Sequence, residues 1–267
     1  MTNPPLRLAL IGWGAIAQTA AALLDSEQVE VVAVATRSRT GARPDVPASA
    51  RRIVDPTELA ATQPDVVAEA ASSAGVGPWG RAALTAGADF IISSVAALAD
   101  EQLLDLLRDL AGRRGAQVHI QPGALAGVDG LAAARSMGID AVEHRIVKPP
   151  LAWMGTAAED MCRLHPLSEP VAFFHADAAE TASRFPKNAN VAMTTALAGI
   201  GPRATKITLV ADPDATTNRH EIAAHGAFGE LNVAISNNPL PANPKTSSLA
   251  ALSLIRAIEN RTQAIVI

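Results

Sequence analysis

Residues 6–22 read LRLALIGWGAIAQTAAA, and the rest of the chain is best read outward from them. Leu8, Ala9, Leu10 and Ile11 form an apolar run that is too short for a helix and suits a buried parallel strand. Gly12, Gly14 and Ala17 follow in G-x-G-x-x-A spacing, and an Ala- and Leu-rich helical stretch runs on to about residue 24. Strand, glycine turn and helix in this order make a dinucleotide-binding opening. Gly12 permits the tight turn, Gly14 has no side chain to block a pyrophosphate, and Ala17 lets the helix pack close on the strand. Gly14, Ala15 and Ile16 bring the chain into the helix, whose free N–H groups and positive dipole end suit phosphate.

A second strand is expected over 29–36 (VEVVAVAT). An acidic residue at its end would select NAD by binding the ribose hydroxyls. Thr36-Arg37-Ser38-Arg39 stands there instead. Arg37 and Arg39 suit a 2′-phosphate and Ser38 can hydrogen-bond it, so the expected cofactor is NAD or NADP. Residues 41–49 read as a Pro/Gly loop, 51–55 as an edge strand and 56–62 as a helical turn. Strands over 65–71, 88–94 and 117–121 alternate with helices over 77–86 and 100–114, which means a doubly wound parallel sheet. Glu69 falls at a strand end, where it is either a ribose contact or the last polar residue before a loop. Trp13 reads as a lid over the first strand.

The pattern changes after Gly130. Residues 141–147, 171–176, 206–211, 218–224 and 230–236 alternate between apolar and polar, as a mainly antiparallel sheet with one covered face would. A helix is expected over 190–198, a proline-rich connector over 239–245 and a closing helix over 247–260. The fold class is therefore α/β, with a smaller α+β substrate domain after the parallel sheet. The expected boundaries are 1–125 for the dinucleotide-binding domain and 126–245 for the substrate and dimerisation domain, with 246–267 packing back on the first.

Of the 267 residues, 49% are hydrophobic and 3% aromatic, with no Tyr, so the core must be built from Ala, Val, Leu and Ile. The net charge of −4 argues against a nucleic-acid surface or an anionic membrane. The single Cys162 suits a reducing compartment, and with no leader or membrane-length apolar run the expected location is cytoplasmic. No Cys/His cluster has metal spacing, so no metal is expected.

Five further segments are distinctive: 121–129 (QPGALAGVD), 147–150 (VKPP), 185–191 (FPKNANV), 212–220 (DPDATTNRH) and 243–248 (NPKTSS). Together with the glycine turn they resemble the L-aspartate dehydrogenase family over essentially the whole chain. The resemblance implies a Rossmann-type domain and a substrate domain. It implies NAD- or NADP-dependent oxidative deamination of L-aspartate to iminoaspartate, which feeds NAD biosynthesis or hydrolyses to oxaloacetate and ammonia. It also implies a homodimer, with His220 as the catalytic histidine and Ala124 and Asn190 as cofactor contacts.

The residues themselves fit this chemistry. Amine oxidation by hydride transfer needs a proton acceptor and cations for the carboxylates. His220, at the start of a strand, is the candidate acceptor, with Lys187 as second choice. His119, His144, His165, His175 and His225 read as structural, and His225 lies an odd number of positions from His220, on the opposite strand face. Lys148, Lys187 and Lys245 each touch proline, which stiffens the backbone around a charge that must be placed, and with Asn188 they are the candidate substrate-binding residues. Asn190 is either a helix cap or a contact for the nicotinamide amide. Two other readings stay open: an NAD(P)-dependent enzyme acting on another small amino or imino acid, and a non-catalytic dinucleotide sensor.

Overall fold

The computed structural model describes residues 4–40 and 45–266. Within the loop expected over 41–49, residues 41–44 lie outside the described residues. The chain divides into two compact units, residues 1–123 with 250–267, and residues 124–249.

The first unit contains β1 (Leu6–Ile11), α1 (Ala15–Leu23), β2 (Val29–Ala35), β3 (Arg51–Ile53), β4 (Val66–Glu69), α2 (Ser73–Thr85), β5 (Asp89–Ile92), α3 (Glu101–Arg114) and β6 (Val118–Ile120). Its six strands pair in the order β3-β2-β1-β4-β5-β6, every pair parallel. This is the doubly wound, Rossmann-type order, which reverses direction beside β1. Continuous apolar runs in β1, β2 and β4 follow from burial on both faces. Leu8 and Leu10 cluster with Ala17 and Ala20 of α1 and with Leu254, Ile255 and Ile258, near the C-terminus. Ser253 Oγ donates to Gln121 Oε1 (2.9 Å) and Arg261 Nη2 to Asp89 Oδ2 (2.9 Å), fixing the same segment. The turn expected over 56–62 is two short 3₁₀ turns, the first closed by a capping box between Asp55 and Glu58.

The second unit contains α4 (Val128–Ala134), β7 (Ile139–Lys148), β8 (Val171–Asp177), α5 (Ala178–Arg184), α6 (Ala189–Ala198), β9 (Lys206–Ala211), β10 (Asn218–Gly226), β11 (Gly229–Asn237), β12 (Pro239–Leu240) and β13 (Asn243–Ser247). Then α7 (Ser248–Glu259) begins. The five-stranded sheet runs β11-β10-β7-β9-β8. It is antiparallel except for β7 and β9, which lie parallel because the chain crosses over through α5 and α6 before β9. The connector expected over 239–245 is instead the β12–β13 ribbon, a two-stranded edge structure that tolerates Pro239 and Pro244.

Gly12 sits at φ +95°, and a Cβ there would lie 2.8 Å from Ala71 Cβ and 2.9 Å from the Ala70 carbonyl oxygen. Gly12→Ala is expected to destabilise the protein by about 1–3 kcal/mol, read as a lower urea midpoint, because both the conformation and the space exclude a side chain. Gly14→Ala, whose Cβ meets nothing within 4 Å, should leave that midpoint nearly unchanged.

Candidate active site

In the first unit a cleft of about 540 Å³ opens beyond the carboxyl ends of β1, β2 and β4. Gly12, Trp13, Gly14, Thr36, Arg37, Ser38 and Ser72 line it. The turn fits a pyrophosphate. Gly14 leaves open space where a Cβ would stand, and as N-cap of α1 it puts no side chain on the first-turn amides of Ala15 and Ile16. Trp13 is anchored by its indole N–H to Asp45 Oδ2 (2.6 Å), and Gln18 Nε2 donates to the same oxygen (2.8 Å). Thr36 Oγ1 and Arg52 Nη2 both donate to the Ser38 carbonyl (2.8 and 2.9 Å), which holds the β2 turn in shape. Arg37 is exposed beside the cleft. Arg39, expected to share a 2′-phosphate with Arg37, is instead paired with Glu58.

Glu69 corrects a second expectation. Its side chain is fully buried, so it meets no ribose. Oε1 accepts from the Ala71 and Ser72 amides (2.7 and 2.9 Å) and from Ser94 Oγ (2.9 Å), and Oε2 accepts from the Ser94 amide (2.9 Å). Burial raises its pKa while these four donors pull it back. The apolar run of β4 marks Glu69 as a strand-end acid without telling which way it turns.

In the second unit the sheet brings together residues far apart in sequence. His220 of β10 lies opposite Ile146 of β7, and His144 lies opposite Ile222, so the two histidines are diagonal neighbours on the covered face. His220 Nδ1 is 3.1 Å from His144 Nε2, and His144 Nδ1 is 2.9 Å from Thr195 Oγ1 of α6. Both rings are buried, whereas His225 is exposed. His144, read from sequence as structural, is thus in hydrogen-bond contact with His220. The alternation of Val142, His144 and Ile146 placed it on the apolar face, but the register that brings it to His220 spans 76 residues.

Lys148 ends β7. Its ammonium donates to Asn188 Oδ1 and lies 5.1 Å from the centre of the Trp153 ring. Burial, with help from the charge of Lys187, lowers its pKa to about 8. Burial, followed by the Lys148 charge, lowers His220 to about 3, so the imidazole is neutral at physiological pH. Lys187 and Asn188 occupy a 3₁₀ turn that Pro186 begins. That turn moves the helix start, so the N-cap of α6 is Asn188, without a side-chain cap bond, and Asn190 is an exposed first-turn residue rather than the cap. Ala124 is held by its carbonyl, which accepts from the buried Asn237 Nδ2 (2.9 Å), a residue the sequence reading missed. Lys245 lies exposed on β13, and among the described residues it makes no ion pair.

Over 262 residues the chain is 48% identical to an L-aspartate dehydrogenase of Brucella anthropi, covering 97% of this chain and 98% of that protein. The chain belongs to the L-aspartate dehydrogenase family. A second L-aspartate dehydrogenase, from Acinetobacter baumannii, is 40% identical over 260 residues, again covering 97% of this chain and 98% of the relative. The family model described as aspartate dehydrogenase, C-terminal, matches residues 129–261, and the homoserine dehydrogenase NAD-binding domain matches 12–121. The fold matches the crystal structure of aspartate dehydrogenase from Thermotoga maritima with TM-score 0.79 and 24% identity, covering 98% of this chain and 99% of that one. Both matched regions of this L-aspartate dehydrogenase family chain contain the groups described above, the glycine turn in one and His144, Lys148 and His220 in the other.

Two outcomes follow from the charges around His220. Lys148→Met removes the nearby positive charge, so the pKa of His220 should rise, measured by NMR titration of the histidines. The unfolded chain binds a proton on His220 below its ordinary 6.5, whereas the folded chain binds it only near 3. Stability should therefore fall as pH drops from 6.5 toward 3, and His220→Gln should flatten that dependence in urea titrations.

Proposed function

We propose that this chain oxidises L-aspartate to iminoaspartate with NAD or NADP, using His220 as the proton acceptor and Lys148 to hold a substrate carboxylate. The observation that carries the reading is a neutral buried imidazole paired with His144, with Lys148 close enough to shift its titration, in a chain nearly half identical to an L-aspartate dehydrogenase. The dinucleotide would rest on Gly12, Gly14 and the first-turn amides of Ala15 and Ile16, and the family resemblance gives Ala124 and Asn190 as further cofactor contacts. When bound, the nicotinamide accepts the hydride that leaves the substrate Cα.

The protein's part is binding and proton handling. The substrate ammonium must lose a proton before its lone pair can form the C=N bond. His220 is neutral at working pH and takes that proton. A dicarboxylate bound at Lys148 offsets the charge that holds His220 down, so substrate binding itself strengthens the base. Asn188 and Trp153 fix the Lys148 ammonium, and Lys187 supplies a second positive charge that favours a doubly anionic substrate over a singly anionic one. The protein would work as a cytoplasmic homodimer, the outward face of the second sheet around Glu143, Arg145 and Asn232 serving as its contact surface.

Nicotinamide absorbance with L-aspartate, against D-aspartate, L-glutamate and L-alanine, tests the reaction. Reduction with L-aspartate alone is expected. Reduction with another amino acid instead would give the enzyme a different substrate, and tight cofactor binding with no turnover would make it a sensor. His220→Ala should lower kcat by roughly 10²–10⁴-fold at every pH, and near-wild-type turnover would remove it from the mechanism. Arg37→Ala should cost roughly 10- to 100-fold in kcat/KM with NADP and little with NAD, as loss of a charged hydrogen bond to a 2′-phosphate would.

A further inference from the structure

We propose that His144 and Thr195 act as positioning residues that fix the proton of His220 on Nδ1 and leave Nε2 as the free base. The inference deepens the reading of His220 as the proton acceptor and rests on it. Its direction starts from a hydroxyl. Thr195 Oγ1 donates to the carbonyl of Val191, one helical turn earlier (3.1 Å). A hydroxyl has a single proton, so toward His144 Nδ1, 2.9 Å away, the Thr195 oxygen is an acceptor. His144 then carries its proton on Nδ1 and presents a lone pair at Nε2. That lone pair, 3.1 Å from His220 Nδ1, takes the His220 N–H. The remaining ring nitrogen of His220, Nε2, has no proton and can receive one.

Burial makes this order matter. His144 is 0% exposed and His220 is 4% exposed, so water does not offer either ring an alternative partner for a broken bond. Among the described residues no carboxylate pairs with either ring. The charged groups that bear on the pair are Lys148, which acts on His220, and Lys187, which acts on Lys148. A neutral imidazole and a hydroxyl thus do the orienting that a carboxylate does in other histidine pairs. A neutral orienter fixes the tautomer without adding negative charge to hold the proton, so a proton taken at His220 Nε2 is readily released. The positive charge of protonated His220 can be shared when its Nδ1 proton moves to His144 Nε2, with Thr195 still accepting from His144 Nδ1.

The test uses the full chain labelled with ¹⁵N-histidine, with His220 assigned by the signals lost in His220→Gln. At neutral pH, long-range ¹H–¹⁵N spectra should show His220 protonated at Nδ1 and bare at Nε2. His144→Leu should give a mixed His220 tautomer and lower kcat by roughly 10- to 100-fold with KM for L-aspartate little changed. In His144→Gln the amide oxygen can accept the same N–H, so kcat should return to within a few-fold of wild type. Thr195→Val is the milder variant if His144→Leu does not fold, with a mixed tautomer and about a 10-fold lower kcat expected. A proton on Nε2 in the wild-type protein would overturn the proposal. So would folded Leu and Gln variants with equal losses, or a His144→Leu enzyme with wild-type kcat and pH profile. If His220→Ala keeps turnover, the acceptor role fails, while the spectra still decide the tautomer.

Discussion

One buried carboxylate shapes the nucleotide end of the first unit. Glu69 is sealed from solvent and takes four donors from two separate turns, those after β4 and β5. Losing any of its bonds would strand either a buried charge or a buried amide, so both turns are held to it. The turn it holds at Ala70 and Ala71 leaves no room for a Cβ at Gly12. The glycine there is required by a contact as well as by a conformation. A motif usually explained by the ligand is here explained first by the protein around it.

The second unit uses a different device. Burial lowers the pKa of His144, Lys148 and His220, and each is held by a neutral partner: His220 by His144, His144 by Thr195, Lys148 by Asn188 and the Trp153 ring. The first unit surrounds one anion with donors. The second leaves its cation short of counter-charge, an arrangement that suits an anionic substrate.

How much of this was legible in the sequence depended on how local each signal was. The parallel strands, α3 and the five strands of the second sheet follow from periodicity, which needs only neighbouring residues. Family resemblance pointed to His220, and strand parity separated it from His225. Glu69 was left between a ribose contact and a loop-edge polar residue because a strand-end acid looks the same whether it faces solvent or the interior. His144 was passed over because its partner lies on another strand, and the register joining them is a property of the folded sheet. The cap of α6 was misplaced by two residues because Pro186 starts a 3₁₀ turn that periodicity does not reveal. The β12–β13 ribbon was missed because prolines argue against strands except at edges.

The last residues of the chain also set an order of events during synthesis. Leu254, Ile255 and Ile258 belong to the core cluster built on β1, so the N-terminal sheet lacks part of its packing until residues 250–267 are made. Residues 124–249 are contiguous and emerge earlier. The unit built on β1 is therefore completed only after residues 124–249 have been made, and a ribosome that stops short of residue 254 leaves an apolar face of the nucleotide-binding sheet uncovered.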